Sequence, residues 1–346
     1  MYRDLSQAAG AGLAACAQEA GGAPSGAQTA PGPASRSRRV FLGQTAATAA
    51  GGLALTPLLA RSATAELAPS GESIDAHIHV FPAGTDRYPL KPGATPNKRP
   101  LPSFTPEEFL KHAAPVGVTR AVLIQFSHYG YDNSYILDTM RQHAGRFAVV
   151  AGVDPQDKPR DKIRELAGQG ARGVRVASAG RTPDDWGRDT GLAELWRAAG
   201  EAGLVVCALV GPEFLPAVER FCQQNPQTTV ALDHLARIGA DGTIRSEHVD
   251  ALCGLARHKQ IHVKVSAFYA LGAKAPPYQD LGPMIRRVVD AFGAERLLWG
   301  SDSPFQTLAP HTYRDSIELL HSRLDFLSAQ QRRCLLADTA ARLFFR

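Results

Sequence analysis

Cysteine is scarce in this chain, with five residues in 346, and one of them, Cys16, sits in an unusual leader. The other four, Cys207, Cys222, Cys253 and Cys334, contain no CxxC pair. That excludes a disulfide framework and leaves scattered thiols as the expectation. No apolar run reaches the roughly 20 residues needed to cross a bilayer, so no membrane span is expected. The net charge is +5, but several arginines lie in the leader and the rest are dispersed. Without a basic stripe interleaved with aromatics, nucleic acid is not an expected partner. No glycine-rich phosphate loop follows the first predicted strand, which removes the main reason to choose an open, doubly wound sheet.

What is present begins with residues 1–70, rich in Ala, Gly, Ser and Pro. Here Ser37-Arg38-Arg39-Val40-Phe41-Leu42-Gly43 is followed by a weakly apolar stretch from Gln44 to Ala60 and by Ala63-Thr64-Ala65. Paired arginines, a modest apolar region and small residues have the form of a twin-arginine export signal, which predicts a periplasmic or extracytoplasmic protein of a bacterium. The competing view is a basic, unstructured leader with no export role. Residues 71–346 are taken as one domain.

From Ser73 onward, short β-branched runs alternate with amphipathic helical segments, the pattern of parallel βαβ units. Strands are predicted to begin at Ser73, Arg120, Phe147, Gly173, Leu204, Thr229, Ile261 and Arg296. Several are apolar at nearly every position, as expected when both faces of a strand are covered. Eight units in this length predict an α/β protein of the (β/α)8 TIM-barrel class. The proline-rich segment from Pro82 to Ser103 interrupts the rhythm after the first strand and is expected to shape the pocket.

Reactive groups of a barrel gather at the C-terminal ends of its strands. His77 and His79 end the first strand, and a period of two sends both imidazoles to one side. Asp302 ends the eighth strand, the first strand's neighbour on closure, and His234 ends the sixth. These four are the candidate catalytic residues. Arg175, Arg181, His128 and Tyr131 follow strands that open on the same mouth, and Lys264 lies on the seventh. They are candidate substrate-binding residues, and the arginines favour a substrate bearing carboxylates. A small molecule is therefore the expected partner; oligomeric state is not legible.

The segments IDAHIHVF, LDHLARI, VKVSAFY and LLWGSDSPF, in this order from Ser73 to Phe345, resemble the amidohydrolase-related branch of the amidohydrolase superfamily. Within it they most resemble the group of pyrone-dicarboxylate and sugar lactonases. The resemblance implies that His77 and His79 are the HxH pair, that His234 is the strand-six histidine, and that Asp302 takes a proton from the hydrolytic water. It implies hydrolysis of a cyclic ester.

Many members of that superfamily bind Zn²⁺ through the HxH pair, a strand-five histidine and the aspartate. Strand five here, Leu204 to Gly211, has Cys207 but no histidine, and strand four ends Arg175-Val176-Ala177-Ser178 without a bridging lysine. The expectation is thus an enzyme without a cofactor. The alternative is one divalent metal ion such as zinc on His77, His79 and Asp302, with His234 nearby. Two rival functions stay open: metal-dependent, non-oxidative decarboxylation of an aromatic or muconate-type acid, and a non-catalytic ligand-binding barrel.

Overall fold

The computed structural model describes residues 72–178 and 180–346. The predicted leader, with its export signal, lies outside the described residues. Eight parallel strands follow one another around a single sheet in the order β1 to β8. They are β1 (Ser73–Ile78), β2 (Val118–Ile124), β3 (Phe147–Gly152), β4 (Gly173–Ala177), β5 (Val205–Leu209), β6 (Val230–Leu232), β7 (Ile261–Ser266) and β8 (Leu297–Gly300). Closure comes from Asp302 N donating to His77 O at 2.8 Å and His79 N donating to Ser303 O at 2.8 Å. The buried Asp75 reinforces the seam, accepting from Ser301 N and the Tyr313 hydroxyl. The TIM barrel is therefore as expected.

The helices form where the sequence signals them. Pro106–Ala113 begins with a capping box between Thr105 and Glu108, and Thr190–Glu201 is capped by Asp189. Their apolar stripes cover the outer face of the barrel with Trp186, Trp196 and Phe221 among the fully packed side chains. The interior is a second cluster, including Ile74, Ala76, Val122, Val150, Cys207, Ala231 and Leu298. Because both strand faces are covered, β1, β3 and β7 are buried at every residue. The closing helix Thr339–Phe344 adds Leu343 and Phe344 to that inner cluster.

Two local departures position the site. In β1, Asp75 pairs with Ala121 and Ile78 with Leu123, so three residues on β1 span two on β2. The extra residue reverses the parity of the strand: Ile74 and Ala76 belong to the inner cluster, and beyond the extra residue His77 and His79 also reach inward, to Asp302. In β6, strand geometry ends at Leu232, short of the predicted run through Ala236. The next residues, His234, Leu235, Ala236 and Arg237, all have positive φ, between 51° and 57°. None is glycine, and such conformations cost roughly 1–3 kcal/mol each, so the surrounding barrel holds this turn in place.

Candidate active site

Asp302 is the point on which the other groups converge. It follows β8 with φ 64°, and its carboxylate is almost completely buried. His79 Nε2 stands 3.2 Å and His77 Nε2 3.4 Å from Oδ1, while His234 Nε2 stands 3.7 Å from Oδ2. The Tyr269 hydroxyl donates to Oδ2 at 2.6 Å. Each imidazole is oriented from behind: His79 Nδ1 donates to Ile124 O at 2.9 Å, and His234 Nδ1 bonds Ser266 Oγ at 2.8 Å. The His77 and His234 ring centres are 4.4 Å apart. Phe126 and Phe305 lie against His79 and complete an apolar wall.

Burial opposes ionisation of Asp302, yet the imidazoles of His234, His79 and His77 outweigh it and hold the carboxyl well below the usual carboxylate range. Burial, reinforced for His77 by the Lys264 charge, pushes His77 well below the usual imidazole value and His234 down to about 4. Burial and the Asp302 charge keep the Tyr269 phenol protonated far into alkali. At neutral pH the site thus contains an anionic acceptor at Asp302, neutral rings at His77 and His234 and a phenolic donor at Tyr269.

Of the residues expected to contact substrate, Arg175 lies on β4 with its side chain mostly covered. Its Nε is 3.7 Å from Asp233 Oδ2 and has no hydrogen bond. His128 is buried beside Phe126, ring centres 4.5 Å apart, and Tyr131 is exposed just beyond it. The Pro82 to Ser103 segment folds over this same loop: Lys91 N donates to His128 O, and Arg99 holds the carbonyls of Pro82 and Ala83.

Two expectations require correction. Arg181 is held by Asp189 at 2.5 Å, a rim ion pair that leaves it committed to the helix start. Lys264 does point inward, but it is fully buried beneath the histidines and paired with Asp233 at 3.0 Å, so it does not face a substrate. Three residues went unassigned in the sequence: Tyr269, Asp233 and Arg237. Arg237 is half-buried, its guanidinium bonds no described residue, and its charge acts on Tyr269. A tyrosine and an arginine just beyond predicted strand ends were the available signals, but their aim depends on the left-handed turns at Ala267 and at 234–237.

The amidohydrolase family profile matches residues 74–346, the whole barrel. The chain belongs to the amidohydrolase family. This amidohydrolase is 34% identical over 242 residues to the L-fucono-1,5-lactonase of Burkholderia ambifaria, covering 69% of this chain and 82% of that protein. It is 29% identical over 285 residues to the 4-sulfomuconolactone hydrolase of Hydrogenophaga intermedia, covering 79% and 88%. Among solved structures it resembles a protein of Pseudomonas putida assigned as a 2-pyrone-4,6-dicarboxylic acid hydrolase. There the identity is 27% and the TM-score 0.66, over 79% of this chain and 97% of that one.

His77, His234 and Asp302 each offer a ligand atom, and these atoms lie within 4.8 Å of one another. This set contains the expected His77 and Asp302 together with His234, and His79 Nε2 stands 3.2 Å from the same carboxylate. Buried His77 Nε2 and Asp302 Oδ1 have no hydrogen-bond partner, and His79 Nε2 brings a lone pair toward the same carboxylate, because its Nδ1 carries the proton given to Ile124 O. Tetrahedral zinc sites place ligand atoms roughly 3.3–3.4 Å apart, close to the separations seen here. The donor set therefore fits a divalent cation. Cys207 stands apart from it, a buried free thiol pushed up to about 11 by burial.

Proposed function

We propose that this amidohydrolase opens a lactone by water attack at the ring carbonyl, with C–O cleavage to a hydroxy acid. The observation that carries the proposal is the single carboxylate of Asp302, met by three imidazole nitrogens and one phenol within 3.7 Å. A carboxylate held ionised and aimed by the Tyr269 hydroxyl is a positioned proton acceptor. Asp302 takes one proton from water as the hydroxyl oxygen bonds to the carbonyl carbon. The same proton then passes to the ring oxygen as its bond to that carbon breaks, which returns Asp302 to its anionic form.

A neutral imidazole suits this scheme where its Nε2 carries the ring proton, because it can then donate to the carbonyl oxygen as charge accumulates there. Tyr269 keeps the carboxylate turned toward the water. A divalent cation held by His77, His234 and Asp302 would polarise the carbonyl and acidify the water. Arg175 and Arg237 supply positive charge at the mouth, and they favour a lactone that carries a carboxylate or another anionic group. The curated relatives support ring-opening hydrolysis across sugar lactones and muconolactones. The decarboxylase alternative is weaker, since β5 lacks the histidine its metal site needs.

The test is a panel of sugar lactones, muconolactones and pyrones, scored for hydroxy-acid formation, beside a panel of aromatic acids scored for carbon dioxide. Ring opening of at least one lactone, with no carbon dioxide, is expected. Carbon dioxide release with every lactone untouched would replace this reading with the decarboxylase.

A further inference from the structure

Below the site floor lies a charge that the hydrolytic scheme leaves unused. Lys264, on β7, is 0% exposed, as are Asp233 and His77. Its ammonium is 3.0 Å from Asp233 Oδ1 and 3.3 Å from His77 Nδ1, with the Phe344 ring 5.9 Å away. Asp233 Oδ1 is the other neighbour of that ring nitrogen, at 3.5 Å.

An ammonium group only donates, and a neutral imidazole has one donor and one acceptor nitrogen. Lys264 bonds His77 Nδ1, whereas the longer approach of Asp233 Oδ1 makes no hydrogen bond, so His77 Nδ1 is the acceptor. The ring proton then sits on Nε2, 3.4 Å from Asp302 Oδ1. A proton on Nδ1 would instead face the ammonium between fully buried side chains. A cation can bind His77 Nε2 only through its lone pair, and that lone pair exists only when the proton has moved to Nδ1, toward Lys264. His79 has the opposite arrangement, since Ile124 O fixes its proton on Nδ1.

We propose that Lys264 is a positioning residue that locks His77 in its Nε2–H form, turning that proton toward Asp302 and the substrate and weakening cation binding at this site. The role of His77 as donor rests on the lactone reading; the tautomer and the cation affinity do not. Groups bonded to the far ring nitrogen of a histidine set its tautomer elsewhere by this same logic.

The test is ¹⁵N NMR of histidine-labelled protein at fixed pH, with the His77 signals assigned by their loss in His77→Gln, together with zinc chloride titration by calorimetry. In the unaltered protein the His77 proton is expected on Nε2. In Lys264→Met, Asp233 remains to accept from Nδ1 and Arg175 remains beside Asp233, so the proton should move to Nδ1. Zinc should then bind at least about tenfold tighter. An Nδ1 proton in the unaltered protein overturns the proposal, and that result needs no variant to fold. A folded Lys264→Met with unchanged tautomer and zinc affinity overturns it as well. If the tautomer is as stated but no lactone is opened, the lactone reading falls and the role of Lys264 stands.

Discussion

Two arginines bring positive charge to the mouth of the barrel without a strong partner, and they bear on substrate choice. Arg175 touches Asp233 only at 3.7 Å, and Arg237 bonds no described residue. A charge-assisted hydrogen bond to a substrate anion is worth about 1.5–3 kcal/mol, so Arg237→Met should raise KM for a carboxylate-bearing lactone by roughly tenfold to a hundredfold. KM for a ring-matched neutral lactone should change little. Equal losses on both substrates would remove Arg237 from substrate recognition. At this scale His77, His79, His234 and Asp302 were legible in the sequence, because a polar residue at a predicted strand end has one place to point. Lys264 and Arg181 were misplaced because the sequence does not display Asp233 and Asp189 as their partners. Tyr269 and Arg237 were passed over because backbone turns, not strand parity, aim them.

Among the elements, the junction of β1 with β8 decides whether the site exists. A Cβ placed on Gly300 would stand 2.8 Å from His77 Cβ and 2.9 Å from His77 N. Both are fixed atoms of the seam. Gly300→Ala should therefore push β1 from β8, lowering stability by about 1–3 kcal/mol through overpacking and reducing kcat beyond what the stability loss explains. Thermal melts and rates measured well below the melting temperature separate the two effects. A variant with unaltered kcat would show that the seam tolerates the shift. The eight strands were legible because buried parallel strands read as continuous apolar runs. The extra residue in β1 and the early end of β6 were not, because both answer to closure of the barrel and not to local pattern.

For the molecule as a whole, buried histidines couple stability to pH. Burial lowers His262, on β7 at the opposite end from Ser266, from 6.5 to about 4. Below pH 6.5 the unfolded chain takes up a proton there that the folded chain refuses until about pH 4. Its contribution to stability is thus complete above 6.5 and declines as pH falls toward 4. Asp75 acts with the opposite sign: burial raises its carboxyl to about 6, so its contribution is present at low pH and declines as pH rises through 6. Comparison with His262→Gln isolates the histidine. Urea unfolding at pH 7 and pH 5 should show a larger loss on acidification in the unaltered protein, by about 2 kcal/mol. Equal losses in both proteins would show that His262 is not held neutral by the fold. At this scale the (β/α)8 barrel was fully legible, since eight alternating units leave few other topologies.

The proposed ring opening turns on one carboxylate, that of Asp302. The most direct measurement is the steady-state rate of ring opening, on the best lactone of the panel, for the unaltered protein and for Asp302→Asn. The variant keeps the shape of the side chain and loses its capacity to take a proton, so kcat should fall about 10³-fold while the melting temperature stays near that of the unaltered protein. A folded Asp302→Asn that opens the lactone at a rate close to the unaltered one would contradict the account.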